Sequence, residues 1–175
     1  NEVILFKSCY PNNAFGPDDP AAANPHGPEL TLSNARAALT ALLREFAKHP
    51  EVLFVYLTAP PLRACIRPES ALKRLAKSAL GRPTAQEKHL RSAIDARAFN
   101  RWVVSEQGWL RDYPLRNVAA FDYFDILTGG GKSNFLEFPT DRDYDHHPSS
   151  EGQSRAAQQL VPFLNRALRR AGIVA

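Results

Sequence analysis

The chain has 175 residues, 44% hydrophobic and 23% charged, which fits one globular domain spanning residues 1–175. Its 22 lysines and arginines exceed its 18 acids by only +4 and form no dense run interleaved with aromatics, which argues against nucleic acid as a partner. No apolar stretch approaches the ~20 residues that cross a bilayer, so no membrane span is expected, and Cys9 and Cys65 lack the CxxC spacing of zinc or redox sites, leaving one disulfide or two buried thiols open.

The first apolar run, Val3-Ile4-Leu5-Phe6, is too short for a helix and β-branched at two positions, so it reads as a strand buried on both faces. Because this run lies almost at residue 1 and the sequence holds no methionine, a start inside a domain is expected. Ser8, Cys9 and Asn12 follow the strand and occupy the loop that, in a parallel sheet, borders the ligand crevice. Prolines and glycines across 16–31 predict a long surface loop. Ala35, Leu39, Leu42, Leu43 and Phe46 recur at helical spacing over Ser33 to Lys48, and Val52 to Thr58 forms a second buried strand before Pro60 and Pro61. Strand, helix and strand assemble naturally as a right-handed βαβ unit.

Between Arg63 and Lys88 the charge is strongly positive, which reads as a solvated helix face with a linker, or as a surface for an anionic substrate or polysaccharide. Thr84 and Glu87 match a capping box opening a helix that carries Leu90, Ile94, Ala98, Phe99, Trp102 and Val103 and ends near Gly108. A third strand is expected from Val118 to Phe121, running on into Asp122 to Leu127. The glycine run Gly129–Gly131 with Lys132 and Ser133 is not a phosphate-binding loop: Ile126 stands where the first glycine belongs, and no helix pattern follows Ser133. Ser150 and Gln153 match a capping box for a closing helix bearing Ala156, Ala157, Leu160, Val161, Leu164 and Leu168, with a bend at Pro162.

Just before that helix, Asp141 to Gly152 gathers carboxylates and imidazoles as nowhere else in the chain. A histidine titrates near neutrality, and a neighbouring carboxylate fixes its tautomer, as a general base in acyl transfer requires. Asp143, Asp145, His146 and His147 are also metal-ligating types, but adjacent histidines point apart and no second cluster completes a site, so no metal or other cofactor is expected. A structural role for either histidine is the other reading.

Four segments in this order resemble the SGNH (GDSL-type) hydrolase superfamily: Phe6-Lys7-Ser8-Cys9-Tyr10-Pro11-Asn12, Leu57-Thr58-Ala59-Pro60-Pro61-Leu62, Ala98-Phe99-Asn100-Arg101-Trp102 and Asp145-His146-His147-Pro148-Ser149-Ser150-Glu151-Gly152. The resemblance implies a three-layer α/β/α sandwich of flavodoxin type with a parallel sheet. It implies hydrolysis or transfer of acyl groups, commonly acetyl esters on carbohydrates, without a metal. His147, before a proline and a downstream glycine, becomes the catalytic base and Asp145 its supporting aspartate. The family's aspartate stands three residues before the histidine, where this chain has Tyr144; the pair Asp143 and His146 keeps that spacing and loses the proline. Asn12 is the oxyanion-hole donor, with Asn13 as its neighbouring fallback.

The family's Gly-Asp-Ser block is missing from these residues. Either a first strand and helix, with the serine, precede residue 1, or Ser8 is the nucleophile; Cys9 is a lesser choice. An esterase acting on a small-molecule or glycan ester, an acyltransferase on the same fold, and a non-catalytic glycan-binding or partner module that lacks the serine are the three functional readings. A bacterial, secreted or periplasmic setting follows from the resemblance alone.

Overall fold

Three segments pair in parallel in the order in which they occur, β1 (Glu2–Lys7), β2 (Val52–Leu57) and β3 (Val118–Phe121), in a computed structural model that describes residues 2–173. β2 is central and almost wholly buried, as its run of β-branched and aromatic residues requires. Its alternate side chains serve two different layers. Val52, Phe54 and Tyr56 pack under α1 (Leu32–Phe46) through Leu39 and Phe46, with Ala96, Phe99 and Val103 from the long helix that follows. Leu53 and Val55, with Ala119 of β3, face Ala167, Phe163, Leu164 and Leu168 of the closing helix. Helices therefore cover both faces of a parallel sheet, and the fold is α/β.

The remaining helices are α2 (Ala71–Ala79), α3 (Ala85–Val104), α4 (Tyr123–Leu127) and α5 (Ser150–Arg170). The Thr84 and Glu87 capping box opens α3 as expected, with hydroxyl and carboxylate each bonded to the other residue's backbone N–H. The buried face of α3 is Ala93, Ala96, Arg97, Phe99, Asn100 and Val103, whereas Leu90 and Ile94 lie in solvent. Ala98 is exposed as well, so the expected stripe holds only at Phe99, Trp102 and Val103, near the carboxyl end of the helix where β2 lies beneath it.

Several expectations are corrected. β1 is not buried on both faces: Val3 is 37% exposed, Ile4 38% and Leu5 46%. Phe6 packs 5.6 Å from Phe46 and 5.2 Å from Tyr56, but among the described residues no strand pairs with the outer edge of β1. The register places Val3 opposite Leu53 and Leu5 opposite Val55, so both face the α5 layer, whose core extends only over β2 and β3. The third strand stops at Phe121. Asp122 caps α4 by accepting the Asp125 N–H at 2.9 Å, and the Thr58 hydroxyl accepts the Phe124 N–H at 2.8 Å, which turns the chain out of the sheet. Cys9 and Cys65 are neither paired nor buried; both are exposed free thiols.

The cap of α5 sits one residue earlier than its box suggests. Ser149 accepts the Gly152 N–H at 3.4 Å, and the Gln153 amide donates to the Pro148 carbonyl at 3.0 Å. α5 runs through Pro162, and Val161, expected on its buried side, is exposed. At the first turn, Gly152 meets the loop before it so closely that a Cβ there would stand 2.9 Å from Phe138 Cβ and 3.3 Å from Pro148 Cβ. Gly152→Val is expected to destabilise the protein by about 1–3 kcal/mol, since neither neighbour is a flexible chain end. Thermal unfolding measures this directly, and an unchanged midpoint would refute the close approach.

Candidate functional site

The loop between α4 and α5 crosses the carboxyl ends of the strands and is pinned there by its own backbone. Pro139 and Pro148 form an isolated antiparallel bridge, the Ser149 N–H donates to the Phe138 carbonyl at 2.7 Å, and the Leu136 N–H donates to the Leu62 carbonyl at 2.8 Å. At the loop's tip Tyr144 adopts a left-handed conformation, φ 59°, unusual for a bulky side chain. The kink falls immediately before Asp145, and the Arg67 guanidinium lies 5.6 Å over the Tyr144 ring.

Asp145 accepts three hydrogen bonds. The His147 ring Nδ1 donates to Oδ1 at 2.6 Å, the His147 backbone N–H donates to the same oxygen at 3.0 Å, and the Thr140 hydroxyl donates to Oδ2 at 2.9 Å. These bonds, led by the one from the His147 ring, hold the Asp145 carboxyl down at about 2, so it is ionised at neutral pH. An ionised carboxylate only accepts. The proton in this pair therefore sits on Nδ1 of His147, and in the neutral ring Nε2 keeps its lone pair. The His147 side chain is 67% exposed, and Nε2 has no partner among the described residues.

His146 is built differently. Its Nδ1 accepts the Arg63 backbone N–H at 2.9 Å, which leaves the proton of the neutral ring on Nε2. Burial, reinforced by the nearby His89, keeps His146 below the ordinary histidine value and hence neutral. Tyr10 separates the two roles, stacking on His146 at 4.9 Å between ring centroids and standing edge-on to His147 at 5.6 Å. Arg63 ties the assembly together: its guanidinium donates to the Thr140 carbonyl at 3.2 Å and to the Arg142 carbonyl, and its own carbonyl lies 2.7 Å from Nε2 of His89. Asp143, the alternative partner for His146, is exposed and makes no ion pair among the described residues. Nor do three of the His, Cys, Asp or Glu side chains converge as a metal site among the described residues.

The two asparagines after β1 also diverge. Asn13 is fully buried, its amide donating to the Ala59 carbonyl at 3.2 Å and the Pro60 carbonyl at 2.8 Å, while its Oδ1 accepts from the Asn100 amide at 3.2 Å. It staples the end of β1 to the end of β2 and to α3. Asn12 is exposed, two residues from Tyr10, and its side chain has no hydrogen bond among the described residues. Ser8 is half-buried beside the Tyr56 phenol, whose ionisation is pushed up by burial and slightly favoured by the Ser8 hydroxyl. No hydrogen bond joins Ser8 to His147 among the described residues.

Asp122, just beyond the end of β3, serves α4 as its cap; burial raises its carboxyl and the Asp125 charge raises it further. The glycine run is a turn, with positive φ at Gly129, Gly130 and Gly131. Arg97 ties its two flanks together, donating to Asp125 at 2.8 Å, to the Thr128 hydroxyl at 2.8 Å and to the Ser133 carbonyl. Sequence reasoning passed over Tyr10, Arg63, His89 and Thr140. Only Thr140 carries a local signal, a hydroxyl five residues before Asp145; the others meet the site by tertiary contact alone. Comparison with family models, with curated proteins and with solved structures finds no match to this chain.

Two outcomes follow. Because Asp145 is depressed in the folded state, its bonds stabilise the loop fully above the ordinary carboxyl value of 3.8, and that stabilisation is lost as pH falls through about 2. The His146 ring is likewise stabilising as the neutral form, so its contribution is present above 6.5 and is lost as pH falls through its lowered native value. Carboxyl and imidazole titrations followed by NMR test both; an Asp145 midpoint at or above 3.8 would contradict the three bonds. Asn13→Ala is expected to cost about 2–3 kcal/mol through the carbonyls and the Asn100 amide it leaves unpaired, whereas Asn12→Ala changes stability by less than about 0.5 kcal/mol.

Proposed function

We propose that the chain carries the base, the supporting aspartate and an oxyanion donor of an SGNH-type serine esterase that cleaves acyl esters, acetyl esters on carbohydrates being the substrate class implied by the resemblance. The observation that carries the reading is the Asp145–His147 pair: an ionised carboxylate on Nδ1 of an exposed ring whose Nε2 has no partner among the described residues. In this mechanism Nε2 of His147 takes the proton of the serine hydroxyl as Oγ attacks the ester carbonyl. Asp145 holds the ring in that tautomer and stabilises the imidazolium that forms. The Asn12 amide donates to the developing oxyanion. Collapse of the tetrahedral intermediate expels the alcohol, which takes the proton from His147, and leaves an acyl-serine that water hydrolyses with the same base.

The serine is assigned to a segment that pairs along the outer edge of β1. Two features support this: the apolar side chains Val3, Ile4 and Leu5 stand open there, and β1 leads directly to Tyr10 against the His147 ring. A parallel strand added at that edge would end beside the dyad. Ser8 is the fallback, but its hydroxyl lies against Tyr56.

Ester hydrolysis by the full-length protein, followed with p-nitrophenyl acetate, tests the assignment. His147→Ala and Asp145→Asn are expected to lower kcat by about 10²–10⁴-fold, and Asn12→Ala by about 10²-fold. His146→Asn, which keeps an acceptor for the Arg63 N–H, should change kcat by only a few fold. Unchanged turnover in His147→Ala would overturn the proposal.

A further inference from the structure

The basic segment before α3 folds into a helix that lies on the surface. None of the residues of α2 is buried; Leu72 is 77% exposed, Leu75 69% and the capping Leu80 66%. At 100° per residue, Leu72, Leu75, Ala76, Ala79 and Leu80 fall on one continuous side, and Lys73, Arg74, Lys77 and Ser78 on the other. The helix is nonetheless formed and held. Ser70 caps it through the Lys73 N–H, and Glu69 bonds both Lys77 and the Ala85 N–H at 2.8 Å, closing the turn onto α3.

A bare leucine stripe of this kind is costly in water, since each leucine forgoes the gain of burial. Its flanks say what covers it. α2 carries no acid, Glu69 is bonded to Lys77 and Ala85 with Lys73 close enough to act on its charge, and Lys73, Arg74 and Arg82 form no salt bridge among the described residues. Cations bordering a leucine face match an anionic interface: ammonium and guanidinium groups snorkel to lipid phosphates while the leucines enter the acyl boundary.

We propose that α2 is a membrane-surface helix that docks the protein on bilayers containing anionic lipid, with Leu72, Leu75 and Leu80 inserted and Lys73, Arg74 and Arg82 at the headgroups. This docking is independent of the esterase reading.

Co-sedimentation of the full-length protein with phosphatidylcholine vesicles, with and without phosphatidylglycerol, tests it. The protein is expected to bind the mixed vesicles, to release with added salt, and to bind phosphatidylcholine alone weakly. The double variant Leu72→Ser, Leu75→Ser should lose binding by more than about tenfold, and Arg74→Ser by about fivefold, from the ~1 kcal/mol carried by one interfacial cation. All three side chains are exposed, so circular dichroism and thermal unfolding should match the parent. Absence of vesicle binding overturns the proposal. So does vesicle binding that survives loss of the leucines, because adsorption by charge alone needs no insertion. Binding to an acidic amphipathic peptide but not to vesicles would overturn it in favour of a protein partner.

Discussion

A single carboxylate organises the loop that crosses the strand ends. Asp145 accepts from a ring nitrogen, a backbone N–H and a hydroxyl, and those three bonds keep it ionised while fixing the plane and tautomer of His147. The fold is arranged to present that carboxylate. The loop that carries it is bonded at one end to Leu62 after β2 and at the other to the first turn of α5, and the Arg63 guanidinium holds the carbonyls of Thr140 and Arg142 on the segment leading up to the tip. Adjacent histidines are thereby given opposite surroundings. One is sunk against Tyr10 and the Arg63 backbone, neutral and structural, and the other is left open at Nε2.

Buried polar groups supply the rigidity beneath this loop. Asn13, Thr58, Asn100 and Arg97 are each nearly or wholly removed from solvent, and each bonds a segment distant in sequence. Leaving such a group unpaired costs about 1–3 kcal/mol, so the strand ends have little freedom to rearrange. Asn100 Oδ1, buried without a partner, is the one exception among the described residues. β1 presents the reverse situation: apolar side chains in the open, along a sheet edge that pairs with no other strand among the described residues. An edge of that character is a pairing surface, and it lies on the flank of the sheet that leads to His147.

The α/β architecture was legible because the elements that build the core have strong, distinct periods. Val52 to Leu57 is continuously apolar, α1 repeats its leucines at helical spacing, and Thr84 with Glu87 marks a helix start that the structure realises in both hydrogen bonds. The misreadings have physical causes. α4 hid inside an apolar run, because Val118 to Leu127 alternates too little to separate strand from helix; the Asp122 and Asp125 pair was the only sign of a cap. The exposure of β1 was invisible, since an apolar run reports what a strand would bury and not whether a neighbour covers it. At the site, Asp145 beside His147 was readable because their spacing is local. Tyr10, Arg63 and His89 were not, since they reach the loop across more than fifty residues of chain. The choice between Asn12 and Asn13 rested on one register step in a 3-10 turn, Tyr10–Asn13, which sequence does not define.

The central claim is that the exposed nitrogen of His147 serves a serine lying across the open edge of β1. Labelling the full-length protein with a fluorophosphonate, followed by peptide mapping of the adduct by mass spectrometry, tests it most directly. The account predicts one modified serine, outside residues 2–173, whose labelling disappears in His147→Ala. An adduct on Ser8 would contradict the assignment of the nucleophile to the neighbouring segment, and the absence of any adduct would contradict the serine esterase itself.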